Sequence, residues 1–149
     1  MARALSVEER ETYLARPLIG VLSVAAEAER APLTTPIWYD YRPGGDVVIL
    51  TSPRSRKGRL IAATGRYALC AQDGMPPYTY VTAEGPVVET RPVTEDERRA
   101  MAARYLGDDI AKQYVTLTYE AQHTNVAFIM RPDRWNASTF DDMVGRISA

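Results

Sequence analysis

The chain predicts a small antiparallel β-barrel, mainly β with short helices (α+β), in one domain spanning residues 1–149. Three observations predict it. About six apolar stretches, most of them rich in branched or aromatic residues, follow one another in meander order, with glycine- and proline-containing turn sequences between several of them. Short segments with helix start and stop signals fall in the gaps. At 149 residues the chain can bury one good core but not two, and closing a sheet into a barrel removes its exposed edges.

In chain order, Ser6-Val7-Glu8-Glu9 has capping-box spacing, and Leu5, Tyr13 and Leu14 give the following turns an apolar side until Pro17 stops them. Leu18 to Ala25 and Leu33 to Tyr41 read as strands joined in a hairpin by the polar stretch Glu27 to Arg30. Pro43-Gly44-Gly45-Asp46 is a turn, after which Val47 to Thr51 should pair back as the third strand of a meander. Lys57 to Ala63 holds about two helical turns, with Gly65 placed to end them. Tyr67 to Gln72 is the next strand. Tyr78 to Glu89 follows, bent or bulged at Gly85-Pro86. Thr94-Glu95-Asp96-Glu97 opens a helix that runs to Leu106-Gly107, and a further helix is expected from Ile110 to about Tyr119. Asn125 to Arg131 is the last strand, and the tail from Trp135 carries few core residues.

The most pointed stretch for function is Leu50 to Leu60. A strand runs out there into the hydroxyls of Thr51, Ser52 and Ser55, then into the cations of Arg54, Arg56 and Lys57, and then into a helix N-terminus. Hydroxyls, amides at a helix start and cations in one place are the parts of a phosphate cradle; Arg59, one turn on, should face solvent. The contrast with the rest of the chain is sharp, because 18 Lys and Arg against 19 Asp and Glu leave a formal charge of -1. No global field draws such a chain to nucleic acid or to a membrane surface, and neither is expected as a partner. No apolar run approaches the roughly 20 residues a spanning helix needs.

Other chemistries lack their residues. The single Cys70 can form no intramolecular disulfide or thiolate metal site, and it reads as a small core residue. With an N-terminus that has no apolar signal-peptide core, this makes a cytoplasmic location the expectation. The lone His123 reads as a polar loop residue. HExxH, CxxC, GxSxG and the glycine-rich phosphate loops are all absent, so no metal and no catalytic nucleophile is expected.

Leu50-Thr51 at a strand end, then Ser55-Arg56-Lys57 and Leu60, resembles the phosphate-binding signature of the pyridoxamine 5'-phosphate oxidase-like, or flavin split-barrel, superfamily. Pro36-Ile37-Trp38-Tyr39 and Tyr80 to Val87 are similar to segments of its short actinobacterial branch, so the resemblance covers about Leu18 to Val88. It implies a six-stranded split barrel that forms a homodimer, with a flavin-type ring in a groove between the two copies. It also implies that Thr51, Arg56 and Lys57 contact the cofactor phosphate and that Pro36, Ile37 and Trp38 line the isoalloxazine pocket. The Ser-Arg-Lys triplet is shared with FMN-binding oxidases. The short chain and the Pro-x-Trp-Tyr strand are shared with the deazaflavin branch, so coenzyme F420 is placed ahead of FMN. The substrate-binding C-terminal Arg/His segment of true pyridoxamine phosphate oxidases is missing, which argues against vitamin B6 oxidation.

The implied activity is hydride transfer to or from a small conjugated organic substrate. The cofactor carries the hydride and the protein positions it, so no catalytic side chain is required. The alternative is a storage or sensor protein of the same fold that binds flavin or haem without turnover.

Overall fold

The structure is a computed structural model, and it describes residues 2–148. Its first elements form where local signals place them. β1 (Arg3–Ala4) leads into α1 (Val7–Leu14), where Ser6 and Glu9 make both bonds of the capping box and Leu14 is fully buried. β2 (Gly20–Val24) and β3 (Leu33–Ile37) form the expected antiparallel hairpin, with Val24 opposite Leu33 at its closed end. β4 (Tyr39–Asp40) pairs with β5 (Val47–Thr51), setting Tyr39 against Ile49.

The strand expected from Leu33 to Tyr41 is therefore two strands with Trp38 between them. Its halves bond to different neighbours, β2 on one side and β5 on the other, so it cannot run straight through. α2 (Arg56–Thr64) ends at Gly65, whose φ of 69° is the left-handed conformation of a helix stop. β6 (Arg66–Gln72) and β7 (Tyr80–Pro92) follow. Next come three helices, α3 (Glu95–Leu106), α4 (Asp108–Leu117) and α5 (Tyr119–Gln122). β8 (Val126–Met130), β9 (Arg134–Thr139) and α6 (Asp141–Ser148) complete the described residues.

All strand pairs are antiparallel. They join in the order β3-β2-β6-β7-β8-β5-β4, with β9 paired to both β7 and β1. The two ends of this path, β3 and β4, are separated in the chain only by Trp38, so the sheet has to curl back upon itself. The result is a strongly curled half-barrel. Trp38 sits at the point where the curl returns.

Nine strand segments among the described residues replace the six expected. One extra segment comes from the break at Trp38, one is the short β1, and one is β9 in the supposedly core-poor tail. β9 is a strand because of its neighbour: Trp135 lies opposite Ala83 and Ala137 opposite Val81 across β7. Trp135 meets Tyr41 edge-on with ring centroids 6.1 Å apart, and the Arg10 guanidinium lies 4.5 Å from the Trp135 ring. The irregularity expected at Gly85-Pro86 falls two residues later, where the register of β7 against β8 shifts between Val87 and Glu89. Gly85 answers a different need, since a Cβ there would stand 1.9 Å from the Arg131 carbonyl oxygen. Cys70 is only half-buried, on the face of β6 opposite to the buried Leu69 and Ala71, and is not a core residue.

The core gathers Leu22, Tyr39, Ile49, Leu69, Val81, Phe128 and Met130. Two of its tyrosines, Tyr39 and Tyr67, cross-link the walls through hydroxyls that donate to backbone carbonyls. The Tyr39 hydroxyl lies 2.7 Å from the Leu14 oxygen and 3.0 Å from that of Arg16, which ties the end of α1 to β4. The Tyr67 hydroxyl sits between the Val47 and Phe128 oxygens at 3.1 and 2.9 Å. No helix among the described residues is long and apolar enough to cross a membrane.

Candidate functional site

The site grows from the end of β5. Thr51 is its last residue and is 5% exposed. The chain then turns through Ser52 to Ser55, which caps α2: the Ser55 hydroxyl accepts from the Gly58 amide at 3.1 Å and donates to the Ser52 carbonyl at 2.7 Å. Ser55 thereby spends its proton on the loop. Ser52 differs, because its hydroxyl accepts from the Arg54 amide at 3.2 Å and keeps its own proton to donate. The tightness of the turn depends on Gly58, where a Cβ would come 2.2 Å from the Ser52 oxygen.

This turn forms one side of a cavity of about 370 Å³, within the range of small-molecule sites. Thr51, Ser52, Ser55 and Lys57 line it on the polar side, and Pro36, Ile37 and Trp38 line it from the break between β3 and β4. Seven of the eight residues singled out in the sequence are thus brought together around one space. The eighth, Arg56, is not in the lining. Its guanidinium turns to Glu27, 29 positions away, at 2.8 Å. That hydrogen-bonded pair holds the Glu27 carboxyl down at about 2 and raises Arg56 further. Arg54 is exposed, and Arg59 folds back to donate to the Arg54 carbonyl at 2.7 Å.

Trp38 is held rigidly. Tyr105 of α3 stacks on it with ring centroids 4.9 Å apart and planes 10° apart, while Tyr114 of α4 leans against it at 5.3 Å and 42°. Tyr105 is anchored in turn. Its hydroxyl lies 2.8 Å from the Leu18 oxygen and accepts from the Tyr39 amide at 3.1 Å. Burial pushes the Tyr105 phenol above its ordinary value, so it stays protonated and able to donate.

The remaining wall comes from α3 to α5 and the approach to β8, and sequence reasoning missed it. Met101 adds to the apolar surface that Leu50 of β5 supplies, while Tyr114, Gln122 and Asn125 add polar groups. Gln122 donates from its amide nitrogen to the Tyr114 hydroxyl at 3.0 Å. The least expected lining residue is Arg98, an arginine only 4% exposed. A signal for it was present: Arg98 stands three and four positions before Met101 and Ala102, on the one side of α3 that is buried. Lys57 and Arg98 give the lining two cations, and among the described residues no carboxylate lines it.

His123 lies outside the cavity. Its ring stacks on Tyr119 at 4.6 Å, and its Nδ1 is 2.8 Å from the Tyr119 oxygen. Among the described residues no group of three or more His, Cys, Asp or Glu side chains is placed to hold a metal ion.

Comparison with solved structures places the fold. An F420 reductase superposes with a TM-score of 0.67 at 22% identity, over 85% of this chain and 94% of the other. A FAD-binding protein from Mesorhizobium loti superposes with a TM-score of 0.62 at 15% identity, over 93% and 96%. A heme-binding protein from Mycobacterium smegmatis gives 0.56 at 20% identity, over 96% of this chain and 61% of its own. The fold is the split barrel. No protein-family model and no curated protein matches the chain in sequence, so the likeness is one of fold.

Proposed function

We propose that the chain is an oxidoreductase that holds a flavin-type cofactor in the cavity at the split of the barrel, coenzyme F420 ahead of FMN, and passes a hydride to or from a small conjugated organic substrate. The observation that carries this reading is the pairing, in one space, of hydroxyls and an ammonium at a helix start with a wall of proline, isoleucine and a clamped tryptophan. The first set suits a phosphate and the second a flat ring. The cation-only lining fits an anionic ligand.

When bound, such a cofactor supplies the hydride chemistry. The chain's part is placement. Ser52 donates its free hydroxyl proton and Lys57 its ammonium protons to phosphate oxygens, with Thr51 beside them at the strand end. Ser55 shapes the turn, and Arg56 joins the phosphate only by leaving Glu27. Trp38, fixed by Tyr105 and Tyr114, sets the plane against which a ring rests, and Ile37, Leu50 and Met101 keep water from that region. Two copies of the chain would act together, each completing the groove of the other.

The test is titration of the purified protein with F420, FMN and haemin, followed by visible absorbance and fluorescence. Tight binding of F420 or FMN, with reoxidation of the reduced cofactor by a panel of quinones and conjugated enones, is the expected result. Binding without turnover would make the chain a carrier, and binding of none of the three would end the proposal.

A further inference from the structure

Arg98 has no structural task that uses its charge. It is 4% exposed and lines the cavity, yet its Nη1 is buried without a hydrogen-bond partner. Its nearest aromatic company is the Tyr119 ring, 5.9 Å from the guanidinium carbon, at the outer limit of a cation–π contact. Neighbouring Arg99 shows the ordinary alternative, an exposed arginine paired with Asp96. A buried guanidinium with an open donor is costly to the fold, and the cost is recovered only when an acceptor enters.

We propose that Arg98 is a second anion receptor of the cavity, separate from the phosphate turn, and that the occupant offers it an ionised or negatively polarised oxygen on a planar conjugated frame. The lining supports this class. Arg98 reaches the cavity from α3, whereas Ser52 and Lys57 reach it from the β5–α2 turn, so the two cations stand on different elements. Met101 and Tyr114 line the same cavity and offer apolar and aromatic surface for a flat ligand, and a guanidinium fork matches a carboxylate or a conjugated carbonyl. The inference rests on the preceding reading for the identity of the ring, but not for the anion.

The experiment compares the parent with Arg98→Met, Arg98→Lys and Lys57→Ala. Its probes are riboflavin, which has a conjugated carbonyl system and no phosphate, benzoate, a bare planar carboxylate, and inorganic phosphate. Arg98→Met should weaken riboflavin or benzoate by about 10- to 150-fold while leaving phosphate unaffected, and Lys57→Ala should do the reverse. Loss confined to benzoate would assign the oxygen to a substrate carboxylate, and loss that includes riboflavin would assign it to the cofactor ring. Without ligand, Arg98→Met should melt at or above the parent temperature, because it removes an unpaired buried charge. Arg98→Lys, which keeps the charge without the fork, should recover part of the affinity.

Three results would overturn the proposal: a lowered melting temperature in both Arg98 variants, Arg98→Met acting on phosphate alone, or riboflavin and benzoate binding that ignores Arg98. If F420, FMN and riboflavin all fail to bind the parent while benzoate binds through Arg98, the flavin-type cofactor reading falls and the receptor stands.

Discussion

Replacing Lys57 by alanine should weaken FMN or F420 binding by about 10- to 150-fold, which corresponds to the roughly 1.5 to 3 kcal/mol of a charge-assisted hydrogen bond. Lys57 lines the cavity beside Ser52, with its ammonium able to reach a phosphate without breaking another contact. Arg56, its neighbour in sequence, should behave differently. Its side chain is 33% exposed and engaged by Glu27. With the Glu27 carboxyl held at about 2, that partner remains ionised across any working pH. Arg56→Ala therefore removes only a screened attraction, no more than roughly threefold in affinity at low salt and less at high salt. Glu27→Gln releases the guanidinium, and in that background Arg56→Ala should cost more than it does in the parent. Fluorescence titration of the five proteins, the double variant included, at two salt concentrations measures all of this. Equal, salt-resistant losses for Arg56→Ala and Lys57→Ala would refute the reasoning, since Arg56 would then hold the phosphate despite Glu27.

Three further outcomes are expected. Gly58→Ala should lower stability by about 1 to 3 kcal/mol in urea unfolding and weaken cofactor binding as well, because the new Cβ meets the backbone oxygen of Ser52, which cannot swing aside; parent-like unfolding would show that the turn is slack. Burial raises the Tyr39 phenol far above its usual range and that of Tyr67 likewise, with Asp46 adding to the shift at Tyr67. Because the folded values exceed the unfolded one, the stability they contribute is complete below pH ~10 and is lost as pH rises beyond it; phenolate absorbance should therefore show Tyr39 and Tyr67 ionising only with unfolding, and titration of all nine tyrosines near pH 10 in a folded protein would contradict this. Sedimentation at micromolar concentration should give a dimer of the 16.6 kDa chain, whereas a monomer with cofactor bound would remove the partner copy from the site.

The features legible in the sequence are those whose physics is complete within a few residues. The Ser6–Glu9 box and the left-handed stop at Gly65 each join groups no more than four positions apart, so residue types and spacing suffice to determine them. The gathering of Thr51, Ser52, Ser55 and Lys57 on one side of the cavity was readable for the same reason: they are delivered by one strand end and one helix start. Tertiary structure decided the rest. Nothing near Trp38 says that the chain must change partners there; that follows from β2 and β5 lying on opposite arms of a curled sheet. β9 is a strand through its pairing with β7, at least 50 positions earlier. Arg56 carries the residue type of a phosphate ligand, but a carboxylate 29 positions back claims it. Arg98 carries the residue type of a solvent-exposed helix face, but the packing of α3 buries it against the cavity. In both arginines the side chain's chemistry was plain from the sequence, and its partner was set by distance through space.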